Sequence, residues 1–202
     1  MMLRLTESES KKIVLEIAPV FHAHLKKFSA GKYPDEDYEQ FLTDFADPAR
    51  VGEPTIRSAL LWKYGHWNKS NFPERHDALI RRIADLWPGL VATLPVTPSA
   101  AFTYLHMNSG VPYVSSAFLV HLLFPAEMPI IDQHNFRAMN YFVKWARPVW
   151  TYKKTPSNYG DLINLKAFMR EIVGNWSSVI PVLPSERDLD KFLMAYGKSI
   201  KC

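Results

Sequence analysis

The chain has 202 residues, of which 48% are hydrophobic and 22% are charged, and its formal net charge is +4 at pH 7. This composition excludes a disordered chain and provides enough apolar surface to bury a core in one domain or in two tightly packed lobes. The only cysteine is Cys202, which excludes a disulfide framework and any zinc or iron–sulfur site with cysteine ligands, and favours a reducing compartment.

No segment has the pattern of a signal peptide or of a membrane span. The most apolar stretch, residues 111–131, is interrupted by Pro112, His121, Pro125, Glu127 and Pro129. We therefore expect a cytoplasmic protein with no membrane partner. The positive net charge is compatible with a polyanionic partner such as nucleic acid, although many proteins of similar charge bind none.

The predicted elements are helices throughout, because apolar residues recur at helical spacing and the strand signals are weak. Thr6-Glu-Ser-Glu9 has the form of a capping box, and it predicts a first helix that ends near Phe28. Three further helices are predicted over 35–45, 54–64 and 73–87. A loop is predicted around Pro88, Pro95 and Pro98.

The middle of the chain predicts a helix–hairpin–helix segment within residues 99–137. A short helix over 99–107 is followed by a tight connection at Asn108-Ser-Gly-Val-Pro112. An apolar helix is then predicted over 113–124. The two helices and the connection between them are the hairpin unit.

An extended link over 125–131 leads from this unit to Asp132, which stands where an N-cap residue is expected. The helix that Asp132 opens is predicted to run through Val143. Two C-terminal helices are predicted over 157–173 and 185–196. We expect the second to stop at Gly197, since glycine commonly follows a helix end.

The sequence Gly110-Val-Pro-Tyr-Val-Ser-Ser-Ala-Phe-Leu, followed by Pro129-Ile-Ile-Asp132-Gln-His134-Asn-Phe-Arg137, resembles the helix–hairpin–helix DNA glycosylase superfamily. This group includes endonuclease III and adenine glycosylase. Its members carry a Gly-Val-Gly hairpin, an apolar helix and a Val-Asp-Thr-His-x-x-Arg signature at this spacing. The resemblance is confined to this part of the chain.

The resemblance implies an all-α, multi-helix orthogonal bundle with a central helix–hairpin–helix, acting on double-stranded DNA. The histidines lack further ligands at a credible spacing, so we expect no metal, and we expect no cofactor. Asp132 stands at the position of the family's catalytic aspartate, which stabilises an oxocarbenium-like sugar or activates water after a base is flipped from the duplex. The residues implied in DNA binding are Asn108, Ser109, Gly110, Val111, Tyr113, His134 and Arg137. The function implied is excision of a damaged or mismatched base.

Two residues depart from the family's pattern. Pro112 replaces the second hairpin glycine, and because proline has no N–H, at least one phosphate contact expected by resemblance is lost. Val114 stands where bifunctional members place a Schiff-base lysine. If the protein is a glycosylase, we therefore expect it to be monofunctional.

Simpler interpretations remain open for the same residues. Asp132 can be a helix cap without a catalytic role, and His134 can pack or hydrogen-bond within the first helical turn. Arg137 can pair with a carboxylate instead of DNA. The protein would then be a non-catalytic relative that binds DNA, or an interaction protein with no nucleic-acid role. The run from Trp62 to Trp67 mixes aromatic and basic residues, which suits base stacking, but the favoured interpretation is a core helix that ends at a Gly65 cap.

Overall fold

The computed structural model describes residues 2–28, 33–67, 69, 72–93, 97–179 and 184–200, and only the backbone of residues 108 and 109. Over these ranges the chain is helical and contains no strand, so the all-helical prediction is confirmed there. The chain divides into two compact units. The terminal unit comprises Met1–Phe28 and Pro129–Cys202, and the central unit comprises Ser29–Met128.

The helix bounds agree with most of the predicted ones. The helices are α1 (Glu7–Ile17), α2 (Phe21–Leu25), α3 (Asp35–Phe45), α4 (Glu53–Lys63), α5 (Glu74–Ala92), α6 (Pro98–Ser109), α7 (Tyr113–Leu123), α8 (Gln133–Ala146), α9 (Tyr159–Trp176) and α10 (Glu186–Ser199). Short 3-10 turns lie at Ala18–Val20 and Pro48–Arg50. In the part of the chain that the structure describes, no helix is long and apolar enough to cross a membrane.

The capping box at the start of α1 is confirmed. The Thr6 hydroxyl accepts from the Glu9 N–H at 3.2 Å, and the Glu9 carboxylate accepts from the Thr6 N–H at 2.8 Å. The expectation of a single helix to Phe28 is wrong. Because Pro19 has no N–H to continue the hydrogen-bond ladder, a 3-10 turn separates α1 from α2.

The loop predicted around the middle prolines is also corrected. Pro88 lies inside α5, which continues to Ala92 and buries Trp87 and Leu90. The indole of Trp87 donates to the carbonyl of Pro48 at 3.0 Å. Burial of the two flanking side chains offsets the one backbone hydrogen bond that Pro88 cannot make. Pro98 begins α6 after the Thr97 cap, and Pro95 lies outside the described residues.

The core of the central unit forms around α7. Phe118 of α7 stacks on Trp62 with ring centroids 5.7 Å apart. Nδ1 of the buried His121 lies 2.5 Å from the Met128 carbonyl, which only accepts, so Nδ1 carries the proton. In the neutral ring Nε2 then accepts from the Tyr38 hydroxyl at 2.8 Å. This network joins α3, α7 and the turn that ends the unit.

In the terminal unit α10 packs closely along α8. Gly197 faces the backbone of α8 at short distance. It lies within α10 and is buried, so the expectation that the helix stops there is wrong. A Cβ on Gly197 would stand 1.9 Å from the backbone carbonyl oxygen of His134. Only glycine permits this distance between the two helices.

We predict that Gly197→Ala lowers the free energy of unfolding by at least about 2 kcal/mol, since the added methyl group meets rigid backbone and forces the two helices apart. Gly174→Ala is the matched control, because it lies in α9 and a Cβ there meets nothing within 4 Å. This control should raise stability by about 0.5 to 1 kcal/mol through helix propensity. Chemical denaturation of both variants measures the difference, and equal effects would contradict the proposed backbone contact.

An ion pair joins α1 to the residue that follows α8. Nε and Nη2 of Arg147 donate to the Glu9 carboxylate at 2.7 and 2.6 Å, and both side chains are mostly buried. The Arg147 guanidinium lowers the pKa of Glu9 from its ordinary 4.5 to about 2, against the opposing effect of burial. A lowered pKa in the folded state means that the pair contributes stability above pH 4.5, and that this contribution is lost as the pH falls towards 2.

We predict that Glu9→Gln destabilises the protein by about 1 to 3 kcal/mol at neutral pH, because it removes the charge but keeps an acceptor for the Thr6 cap. The difference from the native protein should shrink between pH 4.5 and about 2, the window over which Glu9 titrates. Denaturation at a series of pH values measures this. Glu7→Gln, which affects only an exposed pair with Lys11, is the control and should change little.

Candidate functional site

The tight connection that the sequence predicted over residues 108–112, called the hairpin here, lies between α6 and α7. Gly110 ends α6 in the left-handed conformation, with φ 58° and ψ 22°, and Val111 is buried directly after it. Nδ1 of His106 lies 3.1 Å from the Val111 carbonyl and braces the turn. A side chain at Gly110 would be strained, since L-residues rarely adopt this φ. Asn108 and Ser109 are the last two residues of α6.

Pro112 is the N-cap residue of α7, with φ −54° and ψ 144°. Its carbonyl accepts from the N–H groups of Ser115 and Ser116 at 3.0 and 3.1 Å. Pro112 has neither an N–H nor a side chain that can cap the first turn. Any anion held at this hairpin must therefore use other donors.

A cavity of about 580 Å³ lies beside the hairpin in the central unit. Four of its residues occupy positions i, i+3, i+4 and i+7 on one face of α5, and four more come from the hairpin and the start of α7. These two sets are Arg75, Ala78, Leu79 and Arg82, and Gly110, Pro112, Val114 and Ser115. Tyr64 and His76 complete the described lining.

The polar groups of this cavity are mostly hydrogen-bond donors. The Tyr64 and Ser115 hydroxyls are 2.6 Å apart, and the rings of Tyr64 and His76 have centroids 4.5 Å apart. Burial raises the pKa of Tyr64, partly opposed by the bond to Ser115. Burial lowers the pKa of His76, and the nearby His66 and Arg75 lower it further. No acidic residue is among the described lining residues.

Asp132 caps α8 as expected. Its Oδ1 accepts from the N–H groups of His134 and Asn135 at 2.6 and 3.0 Å. Oδ1 of Asn135 accepts from the Asp132 N–H at 2.9 Å, and this bond completes a capping box. The second carboxylate oxygen, Oδ2, makes no hydrogen bond with the described residues, and the side chain is half-buried.

A buried network holds this capping box in place. Nδ2 of Asn135 donates to the Ile130 carbonyl at 2.8 Å and to Oδ1 of Asp190 at 2.9 Å. Oδ2 of Asp190 accepts from Arg187 at 2.7 Å. Asn135 is 1% exposed and Asp190 is 7% exposed, so the start of α8 is fixed to α10 by fully enclosed polar groups.

His134 and Arg137 lie on α8 near its contact with α10. The backbone of His134 forms the surface that Gly197 approaches, and its side chain is half-buried. Nη1 of Arg137 donates to the Gly197 carbonyl at 3.4 Å. Among the described residues Arg137 forms no ion pair, so the alternative of a carboxylate partner is not what the structure shows.

The structure groups the residues implied by the resemblance into two sets. Gly110, Val111 and Tyr113 lie together at the hairpin of the central unit, whereas Asp132, His134 and Arg137 lie at the start of α8 in the terminal unit. Comparison with protein-family models, curated proteins and solved structures found no match for the chain. The interpretation of both sets therefore depends on their own geometry.

Sequence analysis did not identify several residues of the cavity and of the network at the start of α8. Of the aromatic and basic run, Trp62 is core, and Gly65 follows the C-cap residue Tyr64 with a left-handed φ of 67°. Tyr64 also lines the cavity. The spacing of Arg75 and Arg82, seven residues apart on a helix, could have revealed the cavity wall. Nothing in the sequence indicates the pairing of Asn135 with Asp190, which are 55 residues apart.

We predict that Asn135→Asp destabilises the protein by about 2 to 4 kcal/mol, because a carboxylate cannot donate and faces two buried acceptors. The deficit should shrink as the pH falls towards about 4, where a protonated carboxyl group is again a donor. Asn164→Asp is the control, since Asn164 accepts from the Leu3 N–H at 2.7 Å and a carboxylate keeps that bond. Equal losses at both positions would contradict the donor role of Asn135.

Proposed function

We propose that this protein is a monofunctional, DNA-glycosylase-like protein that binds duplex DNA around the hairpin and excises a damaged or mismatched base. The observation that carries the proposal is how the two oxygens of the Asp132 carboxylate are hydrogen-bonded. One oxygen satisfies both capping bonds, while Oδ2 makes no hydrogen bond with the described residues. The residue can therefore cap α8 and still offer an oxygen to a substrate.

In the proposed reaction the bond between C1′ of the sugar and the base nitrogen breaks, and the base leaves with the bonding electrons. Water adds to C1′ and gives up a proton, which ends on the departed base either directly or through Asp132. Asp132 either stabilises the positive charge that develops on the sugar or accepts that proton. The buried side-chain bonds of Asn135 fix the backbone at the start of α8, and the N–H groups of that backbone hold the carboxylate, as a preorganised catalytic group requires.

The DNA-binding part of the proposal is supported by the hairpin and by the charge beside it. Arg75 and Arg82 line the cavity next to Gly110, and guanidinium groups are favourable partners for phosphate. They compensate for the N–H that Pro112 lacks. Val114 also lines this cavity and has no amine, which is why we propose hydrolysis without a Schiff base.

A second candidate is a non-catalytic protein that binds DNA through the same hairpin. The reciprocal capping box favours it, because the side chains of Asp132 and Asn135 each accept from the other's backbone N–H. This structural role accounts for an aspartate at position 132 without any catalytic role. This candidate predicts salt-dependent binding to DNA with no product.

Asp132→Asn tests the two candidates. We expect it to reduce single-turnover excision at least about 100-fold, since asparagine removes the charge and the basicity of the group. Folding should be kept, because Asn158 caps α9 in the same way and accepts from the Asp161 N–H at 3.2 Å. The assay uses duplexes with uracil, alkylated purines, oxidised guanine or mismatches, at two salt concentrations.

Asp188→Asn is the control for charge, since Asp188 lies in the first turn of α10 in the same unit. Excision that depends on Asp132 and not on Asp188 supports the enzyme. Salt-dependent binding without product supports the non-catalytic candidate, and excision that survives Asp132→Asn removes Asp132 from the reaction. If the protein binds no duplex and excises no base, both candidates are overturned in favour of an interaction protein.

A further inference from the structure

The cavity of the central unit has features that the excision chemistry of Asp132 does not use. Its lining combines two guanidinium groups, an imidazole and two hydroxyls with an apolar surface from Leu79 and Val114. Its volume of about 580 Å³ lies within the range of small-molecule sites. A cavity with cationic and apolar parts suits a ligand that is anionic at one end and a flat ring at the other.

The charges of the cavity come from one face of α5. Arg75 and Arg82 are two helical turns apart and line it together, whereas the neighbouring Arg81 does not. Asp77, two residues from Arg75 on the same helix, is occupied by ion pairs with Arg57 and Arg81. The positive charge at the cavity is therefore not neutralised by Asp77.

The aromatic side of the cavity can hold a planar group. The rings of Tyr64 and His76 lie 4.5 Å apart at an interplanar angle of 35°, and the Tyr64 hydroxyl is fixed by Ser115. Nδ1 of His76 is buried and has no hydrogen-bond partner among the described residues. A buried polar atom of this kind lacks a bond that a ligand can supply.

We propose that this cavity binds a nucleotide phosphomonoester, with the phosphate at Arg75 and Arg82 and the base or sugar against Tyr64 and His76. A phosphomonoester carries up to two negative charges and three terminal oxygens, so two guanidinium groups that can contact an internal diester pair more strongly with a free nucleotide or a strand end. The ligand is either a free mononucleotide or the phosphorylated 5′ end of a DNA strand. This site is independent of Asp132, which lies in the terminal unit.

Calorimetric titration of the full chain with adenosine 5′-monophosphate, adenosine, and one oligonucleotide with and without a 5′-phosphate tests the proposal. We expect the phosphorylated probe of one or both pairs to bind, and its unphosphorylated counterpart to bind at least about tenfold more weakly. Arg75→Gln and Arg82→Gln should each weaken that binding by a similar factor. Arg81→Gln is the matched control, since it removes the same charge from the same helix outside the cavity.

Preference for the mononucleotide identifies a free nucleotide as the ligand, and preference for the phosphorylated oligonucleotide identifies a strand end. Both results support the site. No binding of either phosphorylated probe, equal binding with and without phosphate, or an equal loss in Arg81→Gln would overturn it. Asp132→Asn should bind these probes unchanged, so that failure of the excision proposal and failure of this one are distinguished.

Discussion

The candidate catalytic region depends on the hydrogen bonds that the side-chain amide of Asn135 makes. Few side chains can accept one hydrogen bond and donate two others at the same buried point. The Asn135 amide accepts from the Asp132 N–H and donates to the Ile130 carbonyl and to Asp190. An isolated capping box would fray with its helix end. Because Asp190 belongs to α10, the start of α8 is instead held by tertiary structure, and the direction of the Asp132 carboxylate is fixed with it.

Close packing of α8 against α10 makes that bond possible. Gly197 brings the backbones of the two helices into direct contact, and Arg137 donates to its carbonyl at the same place. A bulkier residue at this position would move Asp190 away from Asn135 as well as opening the core. The glycine therefore contributes to the position of Asp132 although it lies 65 residues along the chain and has no side chain.

Local features of this fold could be predicted from the sequence, whereas the tertiary ones could not. The capping residues Thr6, Asp132 and Ser185 act within four residues, so their patterns are legible in a single sequence. Pro88 and Gly197 were misjudged for the opposite reason. Their usual role as helix breakers was outweighed by packing against residues distant in sequence, at the Trp87 contact and at His134.

The same division applies to the two candidate sites. The hairpin was predictable because one left-handed glycine, Gly110, determines it. The cavity beside it was not, since Tyr64, Arg82 and Ser115 belong to three different helical segments that meet only on folding. A cap residue with a spare oxygen and a cationic cavity are also separable features, because they lie in different units. Replacement of Asp132 would therefore leave the charges and the aromatic surface of the cavity in place.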